Sequence, residues 1–263
     1  MTTATITVEH EPIATATLGA RAAATAWLNA FLATSQDENR PTLYRSMSVE
    51  FFSRGVQFIA TDGTILLRTW APLQDGIDTS WPEIDEAPDV SVVVMDHDKF
   101  AVGFIRAALA AAGDLELMPL TLSLESAEPA EGPALGEALA PSVLCLSAFG
   151  QRLNCKLYES PYPNWRALEF GIDASERVSG LTVAPRMFAT LGKIREAFKI
   201  DTEFRGTDKA IDITAHGIGY VVARGLVMPM RREDAEPKRK RSESHNTPEA
   251  EQLDSTVERD GAA

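Results

Sequence analysis

The sequence predicts an α+β fold, with a few amphipathic helices backed by antiparallel strand pairs. Three observations carry that prediction. Helical periodicity is confined to three stretches, Leu18 to Thr34, His97 to Ala112 and Pro185 to Phe198. Short apolar runs separated by turn residues outnumber them. The order strand, helix, strands also occurs twice, roughly 90 residues apart, which reads as a weak internal repeat.

The first helix is alanine-rich, with Trp27, Leu28, Phe31 and Leu32 on one side. The second has Asp96 as a candidate N-cap and Gly113 as a stop, and its stripe is Phe100, Phe104, Ile105 and Leu109. The third opens with Pro185, and Met187, Leu191, Ile194 and Phe198 form its apolar face. Strands are expected at Val56 to Ile59 and Thr64 to Thr69 around Asp62-Gly63, and at Ser91 to Met95. A hairpin is expected from Val143 to Tyr158 around Phe149-Gly150. Leu181 to Val183, Ala210 to Thr214, Gly219 to Val222 and Gly225 to Met230 complete the set. Asp75 to Asp89 and Ser126 to Pro141 read as loop insertions.

Composition narrows the function classes. The chain has 263 residues and a net charge of −13, so generic coating of DNA by a basic protein is excluded, whereas a local basic stripe is not. No apolar run reaches the ~18 residues of a membrane span. The N-terminus lacks an export signal pattern, and two cysteines, Cys145 and Cys155, fit a reducing cytoplasm. From Glu233 to Ala263 the chain is charged and poor in large apolar residues, as in a disordered tail. Its Pro237 to Arg241 run is a solvated charge block or a loose phosphate contact.

No catalytic constellation emerges, and no cofactor or metal is expected. Asp96-His97-Asp98 suits a helix N-terminus, and His10, His97, His216 and His245 are scattered. The basic residues are more telling. Lys99 and Arg106 share one helix face, Arg186 and Lys193 share another, Lys199 follows, and Arg21 opens the first helix. Such residues are either ordinary solvated positions or a surface gathered toward a polyanion.

Three strings add to this: VQFIATDGTILL (Val56 to Leu67), YESPYPNWRAL (Tyr158 to Leu168) and GLVMPMRR (Gly225 to Arg232). In this order they resemble the bacterial β sliding clamp, the processivity factor of the replicative DNA polymerase. Residues 1–170 resemble its middle domain, and 171–232 resemble the second half of its last domain, followed by the tail 233–263. The resemblance implies a DNA-clamp fold of about one and a half domains per chain, shortened as in a phage protein, with helices inside a ring and sheets outside.

The resemblance implies a non-enzymatic clamp that encircles duplex DNA without sequence preference. Arg21, Lys99, Arg106, Arg186, Lys193 and Lys199 would face the DNA. Polymerase and clamp-loader peptides would enter a groove lined by Thr61, Gly63, Thr64, Ile65, Leu66, Pro163, Ala167, Leu168, Val227, Met228, Pro229, Met230 and Arg231. The ring itself would be a homo-oligomer: with about twelve inner helices in the family and three here, four copies close it, or three if a fourth helix is present. Two departures stand out. Thr64 and Ile65 replace the usual basic residues after the TDG, and the chain runs on past MPMR. The alternative is a clamp-derived module that binds or sequesters partner peptides without closing a ring.

Overall fold

The computed structural model describes residues 12–95, 99–113, 118–126, 142–170, 185–204 and 210–228. The expected Asp96 cap, the Ser126 to Pro141 insertion (beyond Ser126), the Leu181 to Val183 strand, Pro229, Met230, Arg231 and the tail lie outside these residues, as do the side chains of Lys99 and Leu168.

The first half begins with β1 (Ala14–Gly19), which runs into α1 (Ala20–Phe31), followed by β2 (Met47–Phe52), β3 (Gly55–Thr61) and β4 (Ile65–Pro72). The second half repeats the plan with β5 (Val90–Val94), α2 (Lys99–Ala112), β6 (Pro119–Ser126), β7 (Ser142–Ala148) and β8 (Gln151–Cys155). A short α3 (Trp165–Phe170) follows. The chain then gives α4 (Pro185–Leu191), β9 (Lys199–Phe204), β10 (Ile211–His216) and β11 (Val221–Val227). The architecture is α+β, and among the described residues every strand pair is antiparallel.

Two sheets result, in the orders β1-β6-β7-β8 and β5-β2-β3-β4-β11-β10-β9. The halves of the first unit exchange their opening strands: β1 joins β6 and β5 joins β2. The β4–β11 pairing then carries the larger sheet into the C-terminal elements, with Val227 opposite Ile65 and Arg224 opposite Arg68.

The main core lies between these sheets and the helices. Along β2, Met47, Val49 and Phe51 enter it, whereas Ser48 and Glu50 take the opposite face, as period-two alternation requires. Helix α1 is buried almost all round. Its Trp27 ring packs against Phe58 at 5.4 Å, and Asn29 exchanges hydrogen bonds with the Arg195 backbone (2.7 and 3.2 Å). An isolated alanine-rich helix of 12 residues would be marginal, so packing on both flanks is what holds it.

The structure corrects several element boundaries. Leu18 belongs to β1 rather than to the first helix. Helix α4 ends at Leu191, because Gly192 opens a turn and Glu196 adopts φ of +61°. Ile194 is still buried, but Phe198 is 69% exposed and leads into β9. Phe100 is 78% exposed, off the expected buried stripe. The runs at Gly219 to Val222 and Gly225 to Met230 merge into the single strand β11, which starts only at Val221 and ends at Val227. The insertion at Asp75 to Asp89 is tied down: Arg54 forms a bidentate pair with Glu86 (2.6 and 2.5 Å), and the Trp70 indole donates to the Thr79 carbonyl at 3.2 Å.

Candidate peptide groove and basic helix layer

The three sequence strings converge at one end of the β4–β11 seam. In the turn between β3 and β4, one Asp62 carboxylate oxygen accepts from the Thr64 amide (2.7 Å), the Thr64 hydroxyl (2.6 Å) and the Ile65 amide (2.9 Å). Gly63 has φ of +85°, and a Cβ there would meet the Tyr44 ring at 3.4 Å. This accounts for the Thr-Asp-Gly-Thr string: an Asx-type turn needs the aspartate, and the left-handed position favours glycine. The Met228 amide then donates to the Thr64 carbonyl at 2.8 Å, fastening the end of β11 to this turn.

The second string crosses the outer face of the seam. Trp165 is 3% exposed and packs with Ile59, Leu66, Ala210 and Leu226, flanked by Tyr162. Two guanidiniums lie over its ring, Arg68 at 4.6 Å and Arg166 at 4.2 Å from the centroid. Arg166 also grips Glu50 with two hydrogen bonds (3.0 and 2.7 Å), and the Trp165 indole donates to the same carboxylate at 3.3 Å. Glu50 is 3% exposed, so this buried charge is matched by a fork-shaped cation and an N–H donor. Burial pushes the Tyr162 phenol above its ordinary pKa. Asn164 accepts from the Ala167 amide at 3.3 Å and so caps α3.

The residues expected to line a groove divide into two sets. Gly63, Thr64, Pro163, Ala167 and Met228 are exposed or half-buried. Thr61, Ile65, Leu66 and Val227 are buried and form the floor rather than an open lining. A separate cleft of about 780 Å³ opens on the other flank of the 157–166 segment, against Ser48, Ser91 and Val93, and shares only Pro163 with the expected set. Sequence reasoning missed Trp165, Arg166 and Glu50. The signal for the first two was inside the quoted YPNWR string.

On the opposite side of the sheet lie the helices. Residues 20–31, 99–112 and 185–196, the last running past the end of α4 into the turn before β9, contain Arg21, Lys99, Arg106, Arg186, Lys193 and Arg195 against the single acid Glu196. In a chain of net charge −13 this is a segregation of charge. Arg106, Arg186, Lys193 and Arg195 are exposed; Arg195, which lies past the end of α4, was not among the expected DNA-facing residues. Arg21 pairs with Glu196 at 2.9 Å, and the Tyr220 hydroxyl donates to the same carboxylate at 2.5 Å. Burial and that carboxylate push the Tyr220 phenol up to about 12. Lys199 sits on β9, not on a helix, in an ion pair with Asp201 at 2.8 Å. Among the described residues there is no cluster suited to a metal and no helix long and apolar enough to cross a membrane.

No family model and no curated protein matches the chain by sequence. Solved structures do match. The sliding clamp of Pseudomonas aeruginosa bound to griselimycin aligns with a TM-score of 0.53 at 12% identity, covering 86% of this chain and 68% of that one. The DNA polymerase III β subunit of Borrelia burgdorferi, in complex with a natural product, gives 0.54 at 9% identity over 88% and 67%. That of Thermotoga maritima gives 0.53 at 11% identity over 84% and 66%. The chain thus spans about two thirds of the length of these clamps. With its strand-exchanged βαβββ halves, helix layer and continuous outer sheet, this chain has the fold of the bacterial DNA sliding clamps.

Proposed function

We propose that the chain is a DNA sliding clamp: a non-enzymatic processivity factor that surrounds duplex DNA and tethers a polymerase through a peptide groove. One observation carries the reading: the TDG turn, the YPNWR segment and the end of β11 meet at a single seam, on the far side of the sheet from helices that, with the turn after α4, hold six bases and one acid. The helix layer supplies weak, sequence-blind phosphate contacts, and topology supplies retention. The domain division at residue 170, the clamp-loader partnership and a cytoplasmic location belong to the same reading.

The groove and the helix layer are separately testable. Met228 is 38% exposed beside Thr64. Changing Met228→Glu sets a charge where an apolar anchor would dock. A fluorescent peptide from a polymerase C-terminus is expected to lose at least tenfold in affinity by anisotropy, with the thermal midpoint unchanged. The triple reversal Arg106→Glu, Arg186→Glu, Lys193→Glu acts on exposed side chains. It is expected to cut retention on circular duplex several-fold and to leave peptide affinity as it was. Loss of both functions together, or of neither, counts against the division of labour.

A further inference from the structure

We propose that a cavity at the far end of the β4–β11 seam is a second docking site, which takes a partner polypeptide through one bulky apolar side chain flanked by Lys or Arg. The site is separate from the groove beside Met228, and it stands whether or not the chain is a clamp.

The seam has two ends. The expected groove lies where Ile65 faces Val227. Toward the other end β4 finishes at Pro72 and β11 begins at Val221, about 20 Å away along the strands. A cavity of about 520 Å³ opens there, between the first turns of α1, the loop after β4 and the start of β11. That volume lies within the roughly 300–1,000 Å³ of ordinary ligand pockets. Trp70, Pro72, Leu73, Trp81 and Val222 make its walls mostly apolar. Its polar corner is the Arg21–Glu196 pair at 2.9 Å, whose carboxylate also accepts from the Tyr220 hydroxyl. These charges match each other, so the corner demands no ion of its own.

Two features point to a polypeptide. Each loop bordering the cavity holds an apolar side chain out into solvent. Ile77 is fully exposed beside the lining residue Gly76, and Ile218 is almost as exposed, two positions before Tyr220. Only a body wider than the cavity covers such side chains. Charge then sets the flanks of the apolar anchor. Residues 73–89 carry Asp75, Asp78, Glu83, Asp85, Glu86 and Asp89 and no base. Arg54, gripping Glu86, and Arg224, over the Trp81 ring at 5.2 Å, offset two of the six. The surplus repels a polyanion such as DNA and attracts Lys or Arg. Asp75 and Asp78 are exposed and adjoin the lining residues Gly76 and Thr79, so bases beside a buried anchor meet them first.

The test titrates the full chain with a fluorescein-labelled peptide, Gly-Lys-Arg-Phe-Leu-Lys-Gly, read by anisotropy. Saturable binding in the micromolar range is expected. Replacing the three bases of the peptide by Glu should cost at least tenfold. So should Ala22→Trp, which sets an indole at the mouth from the exposed first turn of α1. Asp75→Lys with Asp78→Lys should weaken binding several-fold, and Met228→Glu should leave it unchanged. If Ala22→Trp fails to fold, the charge reversal on the exposed loop decides. No saturation below millimolar peptide, or binding indifferent to both the cavity and the loop variants, overturns the proposal. Loss of binding on Met228→Glu does so too, because it places the probe in the groove. Tighter binding after deletion of the residues beyond Arg232 would give the cavity to the chain's own Pro237 to Arg241 run. A dissociation constant that rises with protein concentration would give it to a second copy. Either result overturns a separate partner. Peptide binding by a chain that is not retained on circular DNA would remove the clamp reading and leave this site standing. Retention on circles with no peptide binding would do the reverse.

Discussion

Replacing Arg166 by alanine is expected to destabilise the protein by about 3–5 kcal/mol, because it strands a buried carboxylate. Glu50 is 3% exposed, and Arg166 supplies the two hydrogen bonds that neutralise it. The same change removes one of the two cations over Trp165 and the links to the Ile84 and Glu86 carbonyls. Urea titration reads the loss as a lower midpoint. The double change Glu50→Gln with Arg166→Met should be milder than Arg166→Ala alone, since it removes the charge along with its partner. An equal or larger loss in the double variant would mean that the ion pair itself is not what holds the segment. Because the YPNWR string is anchored through this pair, Arg166→Ala should also cost peptide affinity, although Arg166 is not among the groove residues.

The second large effect is expected from Gly225→Ala. Gly225 lies on β11 opposite Leu67, and a Cβ there would fall 2.0 Å from the Leu66 carbonyl oxygen. That obstacle is backbone of the neighbouring strand, so no rotamer change relieves it. The seam must open or shift, at a cost of about 3 kcal/mol or more. Hydrogen exchange should show this locally, with faster amides at 65–68 and 224–227 and unchanged protection in β6 and β7. Gly103→Ala is the contrasting case. It lies on the exposed face of α2 with nothing within 4 Å of the added methyl, so a gain of roughly 0.5–1 kcal/mol is expected.

The parts of the fold that were legible in the sequence are those where local chemistry and tertiary role agree. The Asp62-Gly63 turn, α2 and the hairpin of β7 and β8 are of this kind. Strand β2 was missed because Glu50 interrupts its apolar pattern, and only a residue 116 positions away, Arg166, makes that carboxylate tolerable in the interior. Strand β1 was missed because its Ala/Thr run merges into an alanine-rich helix. Strand β9 was missed because Lys199, Asp201 and Glu203 leave it little apolar signal, as befits an edge. Strand β6 was missed as well, although Leu120, Leu122 and Leu124 alternate inward along it.

The site follows the same rule. The three strings located the seam because each is tied to it by local geometry or packing, the turn by Asp62 and the segment by Trp165. They did not separate lining from floor. Leu66 and Val227 look like groove residues by position, yet Leu66 is buried beneath Trp165 and Val227 packs into the main core. Lys199 looked like a continuation of a basic helix because periodicity gives no warning that Gly192 ends it. Trp165, by contrast, is both motif and core, which is why the string that contains it carried so much of the reading.

The central claim is topological attachment to DNA, and linearisation tests it most directly. The full chain, loaded on a nicked circular duplex with its cognate loader or by mass action, is washed at moderate salt, and the DNA is then cut once with a restriction enzyme. A sliding clamp stays on the closed circle through the wash and leaves within minutes of the cut, because it runs off the ends. Protein that washes off the circle as readily as off a linear duplex, or that remains on the cut DNA, would contradict the account.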